Sequence, residues 1–185
     1  NNQSQPQRRG APVKFGFQFC PKCGAPLEER TIGDQIEPAC TRATCGYIFW
    51  QNSKPCTCAV IENDCGEVLL CKRKHEPDAG KLDLPGGFLE FGEHPHDAIH
   101  REIQEELGVK IDIESALGFV MDWYDGKDVA TLNIPFVAHI VEGTPTPNDD
   151  VAAIQWKRLE DINRADLAFR NNETILFDLY ARYRT

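Results

Sequence analysis

The chain has 185 residues, 41% of them apolar and 26% charged, a profile that suits one full globular domain and a small attachment. No apolar run reaches the length of a membrane span, and a formal charge of −9 opposes coating nucleic acid through general electrostatics. The charge is uneven: residues 1–54 hold seven Lys/Arg against four Asp/Glu, so the rest is strongly acidic and needs cations if it is to handle phosphates.

Residues 1–18 read as a flexible polar tail. The opening residues, Asn1 to Gly10, lack the apolar core of a secretory signal, although the chain starts without Met and a lost targeting segment stays open. Residues 19–50 form a cysteine-bearing unit. Cys20-Pro21-Lys22-Cys23-Gly24 and Cys40 to Cys45-Gly46 make two knuckles separated by sixteen residues. Four thiolates at this spacing can surround a tetrahedral Zn²⁺. Glycine after the second cysteine of each pair lets the backbone turn tightly around the sulfur. So small a unit has little core, so the ion supplies its stability. The plainer alternative is four free or disulfide-bonded cysteines. The remaining cysteines, Cys56, Cys58, Cys65 and Cys71, sit in or beside apolar runs and read as mostly buried thiols, which fits a reducing, cytoplasmic setting.

Residues 51–55 read as a polar linker ending in Pro55, and residues 56–185 as a mixed α and β domain. Cys58 to Ile61 and Glu67 to Cys71 flank Asn63-Asp64-Cys65-Gly66, a hairpin signal. His75 to Lys81 is a loop, and Leu82 to Glu90 a strand interrupted by Pro85-Gly86-Gly87. Pro95 to Leu107 is a helix, with Pro in its first turn and Gly108 just beyond its end. Leu117 to Tyr124 and Val129 to Val141 are strands joined at Asp125-Gly126. Glu142 to Asp150 is a loop, Ile154 to Arg158 a short strand, and Asn172 to Arg184 an amphipathic helix.

The chemistry lies between Gly87 and Val109. On a helix, Glu102, Glu105 and Glu106 stand at i, i+3 and i+4 and share a face, while Ile99, Ile103 and Leu107 form the adjoining apolar stripe. Carboxylates so placed repel one another unless a cation sits among them, and Mg²⁺ or Mn²⁺ takes oxygen ligands and binds substrate phosphates. The bare Gly86-Gly87 backbone can approach a metal or phosphate and offer a carbonyl. Taken alone, the acidic cluster is a solvated helix face. The full spacing arises by chance with a probability on the order of 10⁻⁶ per chain.

Gly87, Glu93, Arg101-Glu102-Ile103, Glu105-Glu106 and Gly108-Val109 resemble the Nudix box without a mismatch, and Leu84-Pro85-Gly86-Gly87-Phe88 resembles its lead-in. The resemblance implies an α/β/α sandwich around a mixed sheet, preceded here by a zinc ribbon. It implies metal-dependent hydrolysis of a nucleoside diphosphate linked to another group, giving two phosphate-bearing products. Glu102 and Glu106 would then be the principal metal ligands, Glu105 a further ligand or the base, and the Gly86 carbonyl a neighbour. Glu93 and Arg101 would hold loop and helix in register. Asp149 and Asp150 are positional candidates for a base supplied by a later loop. A ribbon before such a domain resembles NADH pyrophosphatases and enzymes similar to plant FAD pyrophosphatases. Phe19 to Gly24, the Tyr47-to-Pro55 connector, Leu69-Leu70-Cys71-Lys72-Arg73 and Asp166-Leu167-Ala168-Phe169 favour the second group, and similar enzymes form homodimers. Phe88, Trp123 and Tyr124 can stack on a nucleobase or pack in the core, and Arg73 can reach a phosphate. Rival readings are a capped-RNA hydrolase and a non-catalytic ligand-sensing or protein-binding module.

Overall fold

The computed structural model describes residues 17–124 and 129–185. The tail up to residue 16 and the Asp125-Gly126 junction lie outside these residues. The chain divides into two compact units, Asn1–Asn52 and Ser53–Thr185.

The first unit is built on one antiparallel pair, β1 (Leu27–Ile32) and β2 (Gln35–Cys40), with Leu27 opposite Cys40 and Ile32 opposite Gln35. The cysteine knuckles flank it. Gly24 and Gly46 stand at φ 71° and 65°, a region that side-chain-bearing residues resist, so glycine closes each turn around its sulfur. The unit begins earlier than its first knuckle: Gln18 accepts the Leu27 N–H, and the Phe17 ring packs on Phe49.

The second unit holds two sheets. The larger has the order β6 (Gly86–Phe88), β3 (Lys54–Ile61), β9 (Val129–Glu142), β7 (Lys110–Ala116), with β8 (Val120–Tyr124) also paired to β9. β3 runs parallel to β9, and β7 and β8 run antiparallel to it. They meet different stretches of β9: β8 pairs with residues 129–133, and β7 with residues 136–142. Pro135 sits at the changeover. It has no N–H to give the ladder, so its position suits the gap between two partners. The smaller sheet has the order β10 (Val151–Lys157), β4 (Val68–Arg73), β5 (Leu82–Asp83).

Alternation along the strands fills both faces. Cys58, Val60 and Val137 pack with Ile175, Leu176 and Tyr180 of the C-terminal helix. Ala59, Ile61, Phe136 and Ala138 pack with Ile99, Ile103 and Leu107 of α1 (Pro95–Leu107). The result is the mixed α/β/α sandwich. Each apolar anchor matters: truncating the fully buried Ile103 to Ala costs about 2–5 kcal/mol by transfer and cavity terms together.

Helix α1 runs over the span its sequence signals give. Pro95 opens it, His94 caps it by accepting the His96 N–H, and Gly108 in left-handed geometry returns an N–H to Gln104. Other boundaries differ from expectation. β3 starts at Lys54, inside the stretch read as a linker, because in this ladder Pro55 keeps a carbonyl that accepts the Leu89 N–H. β7 occupies Lys110–Ala116, between the expected helix and the strand expected from Leu117, where no element is expected from the sequence. The Asn63–Gly66 turn forms, with Gly66 donating to Asn63, but its flanking strands join different sheets and meet at one bridge, Glu62 to Val68. Cys65 in that turn is exposed rather than buried. The closing helix begins at Arg170 and contains a π-helical segment, Thr174–Tyr180, in which Ala181 donates to Leu176.

Candidate active site

The site starts from two glycines pressed against neighbours. A Cβ on Gly86 would lie 2.2 Å from the Thr57 carbonyl oxygen, and one on Gly87 would lie 2.5 Å from Glu102 Oε1. Glycine therefore lets β6 lie tight on β3 and leaves room for the Glu102 carboxylate beneath it. The Gly86 N–H donates to Glu106 Oε2 at 2.9 Å, so the loop backbone and the helix acid are joined directly.

Arg101 organises the second half. Its Nε and Nη2 each lie 2.9 Å from one oxygen of Glu93, a bidentate pair. Nη2 also donates to the Phe88 carbonyl at 3.2 Å, and Nη1 to Glu102 at 2.8 Å and Glu105 at 3.1 Å. One guanidinium thus ties the loop before the helix to three acids of the motif. The bond from Arg101 holds the Glu93 carboxyl far below the usual range, at about 2.

The three helix acids separate by depth. Glu106 is 7% exposed, and burial, then the charges of Asp150 and Glu102, push its carboxyl well above the usual range. Glu102 is half-buried. Burial raises it too, with Glu105 and Asp150 adding to the effect and Arg101 opposing it. Glu105 stands in solvent, its side chain 50% exposed and tied to Arg101. Two of the three acids are thus held where their charge is unfavourable. A bound divalent cation would relieve exactly that penalty, so the donor set fits one.

Beside these acids opens a cleft of about 720 Å³, continuous with solvent. Arg73, Phe88, Trp123, Tyr124 and Asp150 all line it. Asp149 does not; its carbonyl accepts Lys74 Nζ at 3.0 Å, and its φ of 48° turns the loop so that Asp150 faces inward beside Glu106 and Gly86. Phe88 meets Tyr124 edge-on at 5.7 Å, and Tyr124 meets Phe169 at 5.5 Å. Arg73 is pinned to the wall: Nη1 donates to Asp83 at 2.8 Å, Nε to the Pro77 carbonyl at 2.8 Å, and the guanidinium lies over Phe169. Two of its donors are therefore committed to protein rather than held out for a phosphate.

Sequence reasoning missed part of this lining. Asp83, whose carboxyl burial raises against the pull of Asn172 and Arg73, lines the cleft together with Asp122, Asn133, Phe169, Asn171 and Asn172. The available signals were polar residues inside apolar strands: Asp83 between two leucines, and Asn133 between Leu132 and Ile134.

In the first unit, the Sγ atoms of Cys20, Cys23, Cys40 and Cys45 all lie within 4.8 Å of one another. The closest recorded separations are 3.5 Å for Cys23–Cys40 and 3.8 Å for Cys20–Cys45. Among the described residues this is the one group of three or more metal-type ligands gathered so closely. Four sulfurs converging without a disulfide fit a tetrahedral ion.

A sequence model of the NUDIX domain matches residues 53–177, spanning both glycines, α1 and the cleft. The chain belongs to the Nudix hydrolase family. An ADP-ribose pyrophosphatase of Methanocaldococcus jannaschii is 34% identical over 125 residues, which is 68% of this chain and 71% of that protein. The NAD-capped RNA hydrolase NudC of Mannheimia succiniciproducens is 34% identical over 111 residues, covering 56% of this chain and 40% of its own. The chain therefore spans well under half the length of that longer relative. A Nudix hydrolase from Nitrosomonas europaea superposes with a TM-score of 0.74 at 25% identity, covering 91% of this chain and 93% of that one. Nudix hydrolases act on nucleotide-diphosphate substrates and generally use Mg²⁺ or Mn²⁺. Among the described residues no helix is long and apolar enough to cross a membrane.

Proposed function

We propose that the chain hydrolyses the diphosphate bond of a dinucleotide-like substrate of the ADP-ribose, FAD or NADH type, releasing two monophosphates. The observation that carries this reading is Glu106: a carboxylate buried in a motif helix, bonded to the Gly86 amide and faced by Asp150 and Glu102. A fold that needed only stability would place an apolar residue there.

Glu102, Glu106 and the Gly86 carbonyl would hold Mg²⁺ or Mn²⁺, with Asp150 close by and Glu105 at the solvent edge. When bound, such a cation neutralises the diphosphate and lowers the pKa of a water. The chain's own groups do the rest. Glu93 and Arg101 keep the Phe88 carbonyl and Glu102 in register, so the loop and helix halves of the site stay aligned. Asp150 takes the proton of the attacking water, because it lines the cleft beside Glu106 where Asp149 does not. Phe88, Tyr124 and Phe169 receive the planar base. Zn²⁺ held by the four cysteines completes the fold of the first unit.

The names of the NudC relatives keep capped RNA within this chemistry, since such a cap presents the same diphosphate. The acidity of residues 55–185 opposes a grip on an RNA strand. Incubating the full chain, with Zn²⁺ and Mg²⁺, with ADP-ribose, FAD, NADH and NAD-capped RNA separates these. Hydrolysis of small diphosphates with little dependence on salt supports the proposal. Turnover confined to capped RNA, weakening steeply as salt rises, would replace it.

A further inference from the structure

The loop that carries Asp150 is stitched to the protein on both sides. An α-helix leaves its last carbonyls without intrahelical donors. At the end of α1 this loop supplies them: the Thr146 N–H donates to the Leu107 carbonyl at 3.0 Å, and the Asn148 N–H to the Glu106 carbonyl at 2.8 Å. Asp150 thus stands two residues beyond a direct main-chain bond to Glu106. On the other side, Val151 opens β10 opposite Arg73, at the end of β4.

Between these anchors, one residue fixes the two peptide planes around Asp150. Lys74 Nζ donates to the Asp149 carbonyl at 3.0 Å, which sets the plane leading into Asp150. The Lys74 backbone N–H donates to the Asp150 carbonyl at 2.9 Å, which sets the plane leading out. Because each peptide unit is planar, two fixed planes determine where the Asp150 Cα–Cβ bond points. The turn needs such a hold, since Asp149 keeps a φ of 48°, a left-handed conformation sparsely populated outside glycine. With the turn held, Asp150 borders the small cavity beside Gly86 and Glu106. Of the charges that push the Glu106 carboxyl up, that of Asp150 is the strongest.

We propose that Lys74 is a positioning residue: through its ammonium and its own N–H it aims the Asp150 carboxylate at the attacking water. This rests on the reading of Asp150 as the base. Lys74 makes its bond to Asp149 from an exposed position, so losing the ammonium leaves the core intact. The competing duty is contact with a substrate phosphate, because Lys74 lines the same small cavity as Glu106. The two duties differ in kinetics. A positioning group acts only while Asp150 works, whereas a phosphate contact acts whether or not Asp150 is there.

The test uses the full chain loaded with Zn²⁺ and Mg²⁺, on a diphosphate that the native chain splits. It reads kcat and KM separately for the native chain, Lys74→Met, Asp150→Asn and the double variant. Lys74→Met keeps an unbranched stem and the backbone N–H, and should lower kcat about tenfold with KM within about twofold. Asp150→Asn should lower kcat by about a hundredfold or more. Adding Lys74→Met to it should cost no more than about twofold further, because an amide there takes no proton whichever way it points. Lys74→Arg, which keeps a cationic donor on a long stem, should recover most of the native kcat. Native kinetics in Lys74→Met, a KM rise at unchanged kcat, or a loss that repeats in full beside Asp150→Asn overturns the inference while the base assignment stands. Native activity in Asp150→Asn overturns the base and its positioning together, and leaves the hydrolase reading in place. If the chain splits no diphosphate, all three fail.

Discussion

The two units of this chain are held together by opposite means. In the first, Cys20, Pro38, Ala39 and Cys40 are the buried residues among those described, and two of the four are candidate ligands of an ion. In the second, apolar clusters fill both faces of the sheet, and no cation is needed to account for the fold. Yet the second unit also buries carboxylates where burial is unfavourable. In the first unit, on the proposal that the four cysteines hold an ion, clustered ligands would serve stability. In the second they oppose it, and the fold tolerates them because its core is large enough to carry their cost.

That contrast makes predictions, and the largest concerns chemistry. Glu106→Gln keeps an oxygen to accept the Gly86 N–H but loses the charge, so kcat/KM should fall on the order of a thousandfold, with the fold intact by circular dichroism. A variant retaining a tenth of native activity would move the function off this residue. Next in size is the fate of the first unit. Stripping Zn²⁺ with a chelator, or Cys40→Ser, should unfold residues up to Asn52 and expose them to limited proteolysis, while the fragment from Ser53 onward stays resistant. Loss of both units together would end the distinction drawn here.

Smaller effects sharpen it. Arg101→Lys keeps the charge but not the bidentate fork, and should cost about 10–100-fold in kcat through misalignment of Glu93 and Glu102. Glu105→Gln, at the solvent edge, should cost less than about tenfold. Equal losses at Glu105 and Glu106 would mean that burial does not rank these acids.

The smallest effect is on stability. Because Glu106 and Glu102 titrate above their ordinary range in the folded chain, the folded state binds protons more tightly than the unfolded state there. Without divalent cations, stability should therefore decline as pH rises from the ordinary carboxylate range through their raised values, and level off above them. Glu106→Gln should remove part of this decline and raise the Tm of the metal-free protein near pH 7 by a few degrees, for about 1–2 kcal/mol. Thermal melts of both proteins from pH 4 to 8 in a chelator check the sign. A variant that melts lower at neutral pH would contradict it.

Some of this was legible in the residue order and some was not, for physical reasons. Helix α1 is readable to its ends because Pro95 and Gly108 act locally. The separation of Glu102 and Glu106 from Glu105 was not, since spacing of three and four puts all of them on one face. Only the fold decides which lies under the Gly87 backbone and which meets Arg101 in solvent. β7 was overlooked although Ile111 and Ile113 alternate with charged residues, because the run is short and adjoins the acidic helix. β3 was clipped at Pro55, whose ring reads as a breaker when its carbonyl partner is unknown. The aromatic end of the cleft is assembled from Asp83, Asn133 and Asn171, segments far apart in the chain, and no local pattern links them. In the sequence Phe169 carries only a likeness to related enzymes, and the fold alone puts it on the wall.

The most direct test of the central claim is the release of AMP from ADP-ribose by the full, zinc-loaded chain as Mn²⁺ is titrated, beside the Glu106→Gln variant. The account predicts AMP and ribose 5-phosphate in equal amounts, rising from nothing with Mn²⁺ and all but absent in the variant. Hydrolysis that proceeds in chelator, or that is unchanged by Glu106→Gln, would contradict it.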